Sequence, residues 1–120
     1  MKTNMRITYE ILKKLRISRC SVAYPYMMST MELVFQCPDC LRHITKDVYT
    51  DVAKKHHNTC FNVERGMRAL VERAWKSPYR NEELIVEIFG EESLEHRPTN
   101  TEFFRKLYEY ICDLQGEPVQ

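Results

Sequence analysis

Apolar residues recur three and four positions apart along most of the chain, and no segment alternates strictly between apolar and polar. Ile7, Ile11, Leu12 and Leu15 give a helical stripe over 6–16, with Thr8 in its first turn or capping it. Met27, Met28, Met31, Val34 and Phe35 give a second over 27–36, with Pro25 before it and Pro38 stopping it. Val48, Tyr49, Val52 and Ala53 form the inner face of a third helix over 45–56. Thr45 is its expected N-cap, and Asp47 stands in its first turn. A long helix follows over 60–76, carrying Val63, Met67, Leu70, Val71, Ala74 and Trp75 on one side. Leu84, Ile85, Ile88 and Phe89 mark 81–89, which Gly90 ends. Phe103, Phe104, Leu107, Tyr108, Ile111 and Leu114 mark 101–114, with Thr99 or Asn100 as cap. The pattern predicts an all-α domain of about six helices.

Composition narrows this further. With 120 residues and 43% hydrophobic content, residues 1–120 are expected to form one domain with a single core. Three glycines and five prolines suit a helical domain better than a turn-rich sandwich. No apolar run is long enough to span a bilayer, and no apolar stretch follows Lys2 and Arg6 as a signal peptide requires. A cytoplasmic protein is expected, with Cys20, Cys37, Cys40, Cys60 and Cys112 as free thiols.

The formal net charge of +1 hides a division. Residues 1–80 carry 15 Lys and Arg against 7 Asp and Glu, a net of +8. Residues 81–120 carry 3 against 10, a net of −7. Such asymmetry directs attention to a polyanion surface in the first segment.

The helices at 45–56 and 60–76 have helix-turn-helix spacing, joined by a short connection from His56 to Thr59 in which Asn58-Thr59 reads as a short turn with a cap. Ala53 is the small residue where the two backbones approach. Val63, ten residues on, plugs the angle between them, and Val52 adds a core contact. His57 stands four residues after the alanine, where glycine is the easier residue for a positive φ. Arg65 and Arg68 lie on the face opposite Val63, Met67 and Leu70, where guanidinium groups can donate to guanine O6 and N7 in the major groove. Glu64 can accept from cytosine N4 or orient an arginine. Lys46, Lys54, Lys55 and Arg42 are within reach of phosphates, as are Thr59 and the N–H groups of Cys60, Phe61 and Asn62 at the helix N-terminus.

A longer set of residues carries a family resemblance. It comprises Ile44-Thr45-Lys46, the run from Val48 to Lys55, the run Val63-Glu64-Arg65-Gly66-Met67-Arg68, and Ala74-Trp75. Arg97-Pro98-Thr99-Asn100-Thr101-Glu102-Phe103 extends it, with looser matches at Ile7-Thr8 and Tyr24-Pro25-Tyr26. These resemble the DNA-binding effector domain of the stage-zero sporulation protein A family, response regulators of endospore formation, over roughly 6–113. The resemblance implies six helices, a central helix-turn-helix and a short specific DNA element, often bound by tandem dimers. Arg65 and Arg68 fall on the family's base-reading arginines and Glu64 on the neighbouring acid. Phe61 and Asn62 stand where the family carries small or basic residues. Phe61 cannot donate to a phosphate, but it can touch a thymine methyl. The chain opens at Met1, so the family's usual receiver domain is not expected in it, nor receiver phosphorylation as its switch.

Other chemistries remain open on the sequence. Cys37 and Cys40 form a C-x2-C pair, and with His56 and Cys60 they would make a Cys₃His zinc set. No cofactor is otherwise expected. His57 and Cys60 are too little for an enzyme reading, with no glycine-rich phosphate loop or acid pair nearby. The aromatic 101–114 helix, with Phe103, Phe104, Tyr108 and Tyr110, suits a homodimer face. It also suits an interaction module that antagonises a related regulator, although such a module would not need Arg65 and Arg68.

Overall fold

The computed structural model describes residues 3–116. Six α-helices follow in order: α1 (Thr3–Lys14), α2 (Tyr24–Gln36), α3 (Thr50–Lys55), α4 (Cys60–Lys76), α5 (Glu82–Phe89) and α6 (Asn100–Leu114). Tight 3-10 turns run over Pro38–His43 and Glu91–Leu94, and a wide π turn runs over Ile44–Tyr49. No strand occurs among the described residues, so the domain is all-α.

The helix ends follow local chemistry. Thr99 accepts from the Glu102 N–H while the Glu102 carboxylate accepts from the Thr99 N–H, a reciprocal capping box. Asn100 takes no part in that cap. The Asn81 side chain caps α5 by accepting from Leu84. At the end of α1, Arg16 takes φ 70°, and the Ile17 N–H bonds back to the Leu12 carbonyl at 3.0 Å, burying both apolar side chains.

Three boundaries differ from the sequence reading. α1 begins earlier than expected, so Thr8 lies in mid-helix, buried, with its hydroxyl bonded to the Asn4 carbonyl at 2.8 Å. Pro25 lies inside the first turn of α2 rather than before it, where its missing N–H costs no bond. Thr45 caps nothing. It sits in the π turn, and its carbonyl accepts from the Thr50 hydroxyl at 3.2 Å. In an α-helix Ile44 and Tyr49 would point about 140° apart. Widening the turn to i→i+5 spacing brings residues five apart toward one face, and Ile44, Val48 and Tyr49 are all buried.

The core is continuous across α1, α2, α4 and α6. At its C-terminal side Trp75 meets Phe89 and Phe103 edge-on, at centroid distances of 5.3 and 6.2 Å, while Phe89 stacks on Phe103 at 5.3 Å. The Trp75 indole N–H donates to the Ser93 carbonyl at 2.8 Å. Phe103, Phe104 and Tyr108 therefore belong to the core. The aromatic stripe expected to offer a dimer face is spent on packing, Tyr110 is half-buried with its hydroxyl donating to Glu87, and Leu114 is left exposed.

Gly90 makes the corner that turns the chain from α5 back to Ser93. Its φ of 97° and ψ of 159° lie in a region open essentially to glycine alone. Gly90→Ala should cost about 1–3 kcal/mol of stability in urea unfolding. An unchanged unfolding midpoint would contradict this role.

Candidate nucleic-acid interface

The helix-turn-helix is built from the π turn, α3 and α4. Val52, Ala53 and Val63 are all buried, Val63 completely, as the expected plug between the two helices. The turn between them is a Schellman motif. His57 takes φ 54°, its N–H donates to the Lys54 carbonyl at 3.3 Å, and the Asn58 N–H donates to the Ala53 carbonyl at 2.9 Å. Histidine here occupies the left-handed conformation usually left to glycine.

The sequence marks Asn58 only as part of a short turn with a cap, yet its side chain joins three segments. Its Oδ1 accepts from the Thr59 N–H at 2.8 Å and from Asn62 Nδ2 at 2.9 Å, and its Nδ2 donates to the Tyr26 hydroxyl at 2.8 Å. Tyr26 also meets His56 edge-on at 5.1 Å, and His56 Nε2 lies 2.9 Å from Ser29 Oγ. α2 thus braces the turn from behind. Gly66 allows the close approach, since a Cβ there would lie 3.1 Å from that of Ala23. The forward signal for Asn58 was its place in a short turn just ahead of a helix cap.

At the start of α4 the Thr59 hydroxyl accepts from the Asn62 N–H at 3.1 Å, as a cap should. That takes one of the three N–H groups expected to face a phosphate and leaves those of Cys60 and Phe61. Cys60 is half-buried, with its sulfur 3.6 Å from the Thr50 hydroxyl, so its side chain does not face outward. Phe61, Asn62, Arg65 and Arg68 are exposed on the outer face of α4. The Arg65 guanidinium carbon lies 5.9 Å over the Phe61 ring. Glu64 pairs with Arg68 at 3.7 Å rather than with adjacent Arg65, and its carbonyl accepts from Asn100 at 3.1 Å. Lys46, Lys54, Lys55 and Arg42 are all exposed.

The zinc set does not assemble. Among the described residues no three His, Cys, Asp or Glu side chains come together as a metal site. His56 is turned to Ser29, Cys60 to Thr50, and Cys40 is buried while Cys37 is exposed. Burial, reinforced by nearby Cys37, pushes the Cys40 thiol up to about 11, the opposite of what a thiolate ligand needs. The gap is topological, because His56 and Cys60 flank the turn while the C-x2-C pair sits beyond the end of α2.

The model of the family described as sporulation initiation factor Spo0A, C terminal, matches residues 8–111 of the 120. The chain belongs to that family. It is therefore a sporulation-initiation effector domain of a kind that generally binds DNA, and the family is one of regulator domains rather than enzymes. No helix among the described residues is long and apolar enough to cross a membrane.

His56 gives this turn a pH dependence. Burial first, then the charges of Lys55 and His57, holds its pKa below the usual histidine value. Between about pH 6.5 and that lower folded value, the unfolded chain binds more protons than the folded one, so stability falls as pH drops through the window. The thermal midpoint should decline from about pH 7.5 to about pH 5.5, and less steeply in His56→Gln. Parallel slopes in the two proteins would remove His56 from the account.

Proposed function

We propose that residues 1–120 act as one DNA-binding domain, a transcription regulator that recognises a short specific duplex element with α4 in the major groove. The observation that carries this reading is the outer face of α4, where exposed Arg65 and Arg68 stand opposite a fully buried stripe on a helix braced at both ends. In this reading Arg65 and Arg68 donate to guanine O6 and N7. Glu64 holds the Arg68 guanidinium in place, consistent with their ion pair. Lys46, Lys54, Lys55 and Thr59, with the N–H groups of Cys60 and Phe61, hold backbone phosphates and set the register. Asn62 positions the turn through Asn58 rather than reading DNA itself. A cytoplasmic location follows from a DNA partner. Any pairing of two copies through α6 would use its outer surface near Leu114, since its aromatic face is buried.

Selection of bound DNA from a random pool at fixed salt should enrich one motif. On that motif Arg65→Ala should cost about 1–3 kcal/mol and relax preference at one base pair. Unchanged affinity and unchanged preference would contradict the assignment. Lys55→Ala should instead weaken all sequences alike and reduce the slope of log affinity against log salt by about one. No enrichment even at low salt would favour a protein-interaction module.

A further inference from the structure

Phe61 has no role in the fold. It is 65% exposed, and the core face of α4 is complete without it through Val63, Met67 and Leu70. Its side chain is also the one in the first turn that faces outward with neither a hydrogen bond nor a place in the core. The Thr59 hydroxyl is occupied by the Asn62 N–H, Cys60 turns in toward Thr50, and the Asn62 amide is held by Asn58. What the Phe61 ring does touch is the Arg65 guanidinium, 5.9 Å from its centroid. The two residues lie four apart on the helix, about 6 Å along its axis, and base pairs stack about 3.4 Å apart. With the ring centroid 5.9 Å from the guanidinium carbon, a guanine held by Arg65 would leave the ring over a base pair one or two steps away.

A phenyl ring cannot satisfy the donors and acceptors of a base edge, and covering them without a partner is costly. The apolar group that the major groove offers is the C5-methyl of a pyrimidine. We propose that Phe61 is a specificity-determining residue that reads a pyrimidine C5-methyl near the guanine read by Arg65. This rests on the DNA-binding reading above and adds a named base feature to it. The ring also restricts the guanidinium to fewer orientations, so guanine and methyl are read together. Thymine and 5-methylcytosine both present this group.

The test uses the motif enriched by the wild-type protein. Each thymine is replaced in turn by deoxyuridine, which removes the methyl alone, and affinity is measured by fluorescence anisotropy at one salt concentration. At one position, within two base pairs of the guanine whose preference is lost in Arg65→Ala, uracil should weaken wild-type binding about threefold to tenfold. Phe61→Ala should bind thymine and uracil equally there, while Phe61→Leu keeps part of the methyl preference. Both variants alter an exposed side chain, so unchanged circular-dichroism melting should accompany them. A gain of 5-methylcytosine over cytosine at that position extends the contact to methylated DNA, and no gain assigns it to thymine; both sustain the methyl contact. Equal uracil effects in wild type and Phe61→Ala, or none at any thymine, would overturn the proposal while leaving DNA binding in place. A failure to enrich any motif would overturn both.

Discussion

The angle between α3 and α4 depends on one residue, Asn58, and on the left-handed residue before it. His57 at φ 54° turns the chain, and the Asn58 N–H closes the turn onto the Ala53 carbonyl. The Asn58 side chain then ties the new helix to α2 through Tyr26 and to its own first turn through Thr59 and Asn62. Val63 can fill the space between the helices only because that angle is held. Once Val63, Met67 and Leu70 are fixed inward, helical periodicity alone sends Arg65 and Arg68 outward. The exposed chemistry of α4 is thus a consequence of a turn that carries none of it.

The acidic end of the chain serves the same helix from the other side. α5 and α6 hold its C-terminal part through Trp75, Phe89 and Phe103, and Asn100 at the start of α6 reaches the Glu64 carbonyl near its N-terminal part. Their carboxylates meanwhile lie largely on the surface of α5, α6 and the loop between them. The net charge of +1 therefore averages a basic first segment and an acidic second one. A polyanion approaching α3 and α4 meets Lys54, Lys55, Arg65 and Arg68, not the average.

The six helices and the inward positions of Val52, Ala53 and Val63 were legible because they follow from apolar spacing alone. The caps at Thr59 and Thr99 were legible for a similarly local reason. The π turn was not, because helical periodicity assumes one pitch, while Ile44, Val48 and Tyr49 share a buried face only when the pitch changes. The brace formed by Tyr26, Ser29 and His56 was also hidden, since it joins residues about thirty positions apart by polar contacts. The zinc set failed for the converse reason: nearness in sequence suggested a cluster, but the C-x2-C pair lies beyond the end of α2 while His56 turns to Ser29 and Cys60 to Thr50. Phe61 was visible as a departure from the family pattern, but its contact with Arg65 needed coordinates.

The proposed placement of α4 in the major groove, with Arg65 at a guanine, is open to chemical probing. Dimethyl sulfate probing tests it directly, because the reagent methylates guanine N7 in the major groove and adenine N3 in the minor groove. On an enriched site the wild-type protein should protect guanine N7 at the contacted positions, and Arg65→Ala should lose that protection at one of them. Protection confined to adenine N3, or guanine protection indifferent to Arg65, would contradict the account.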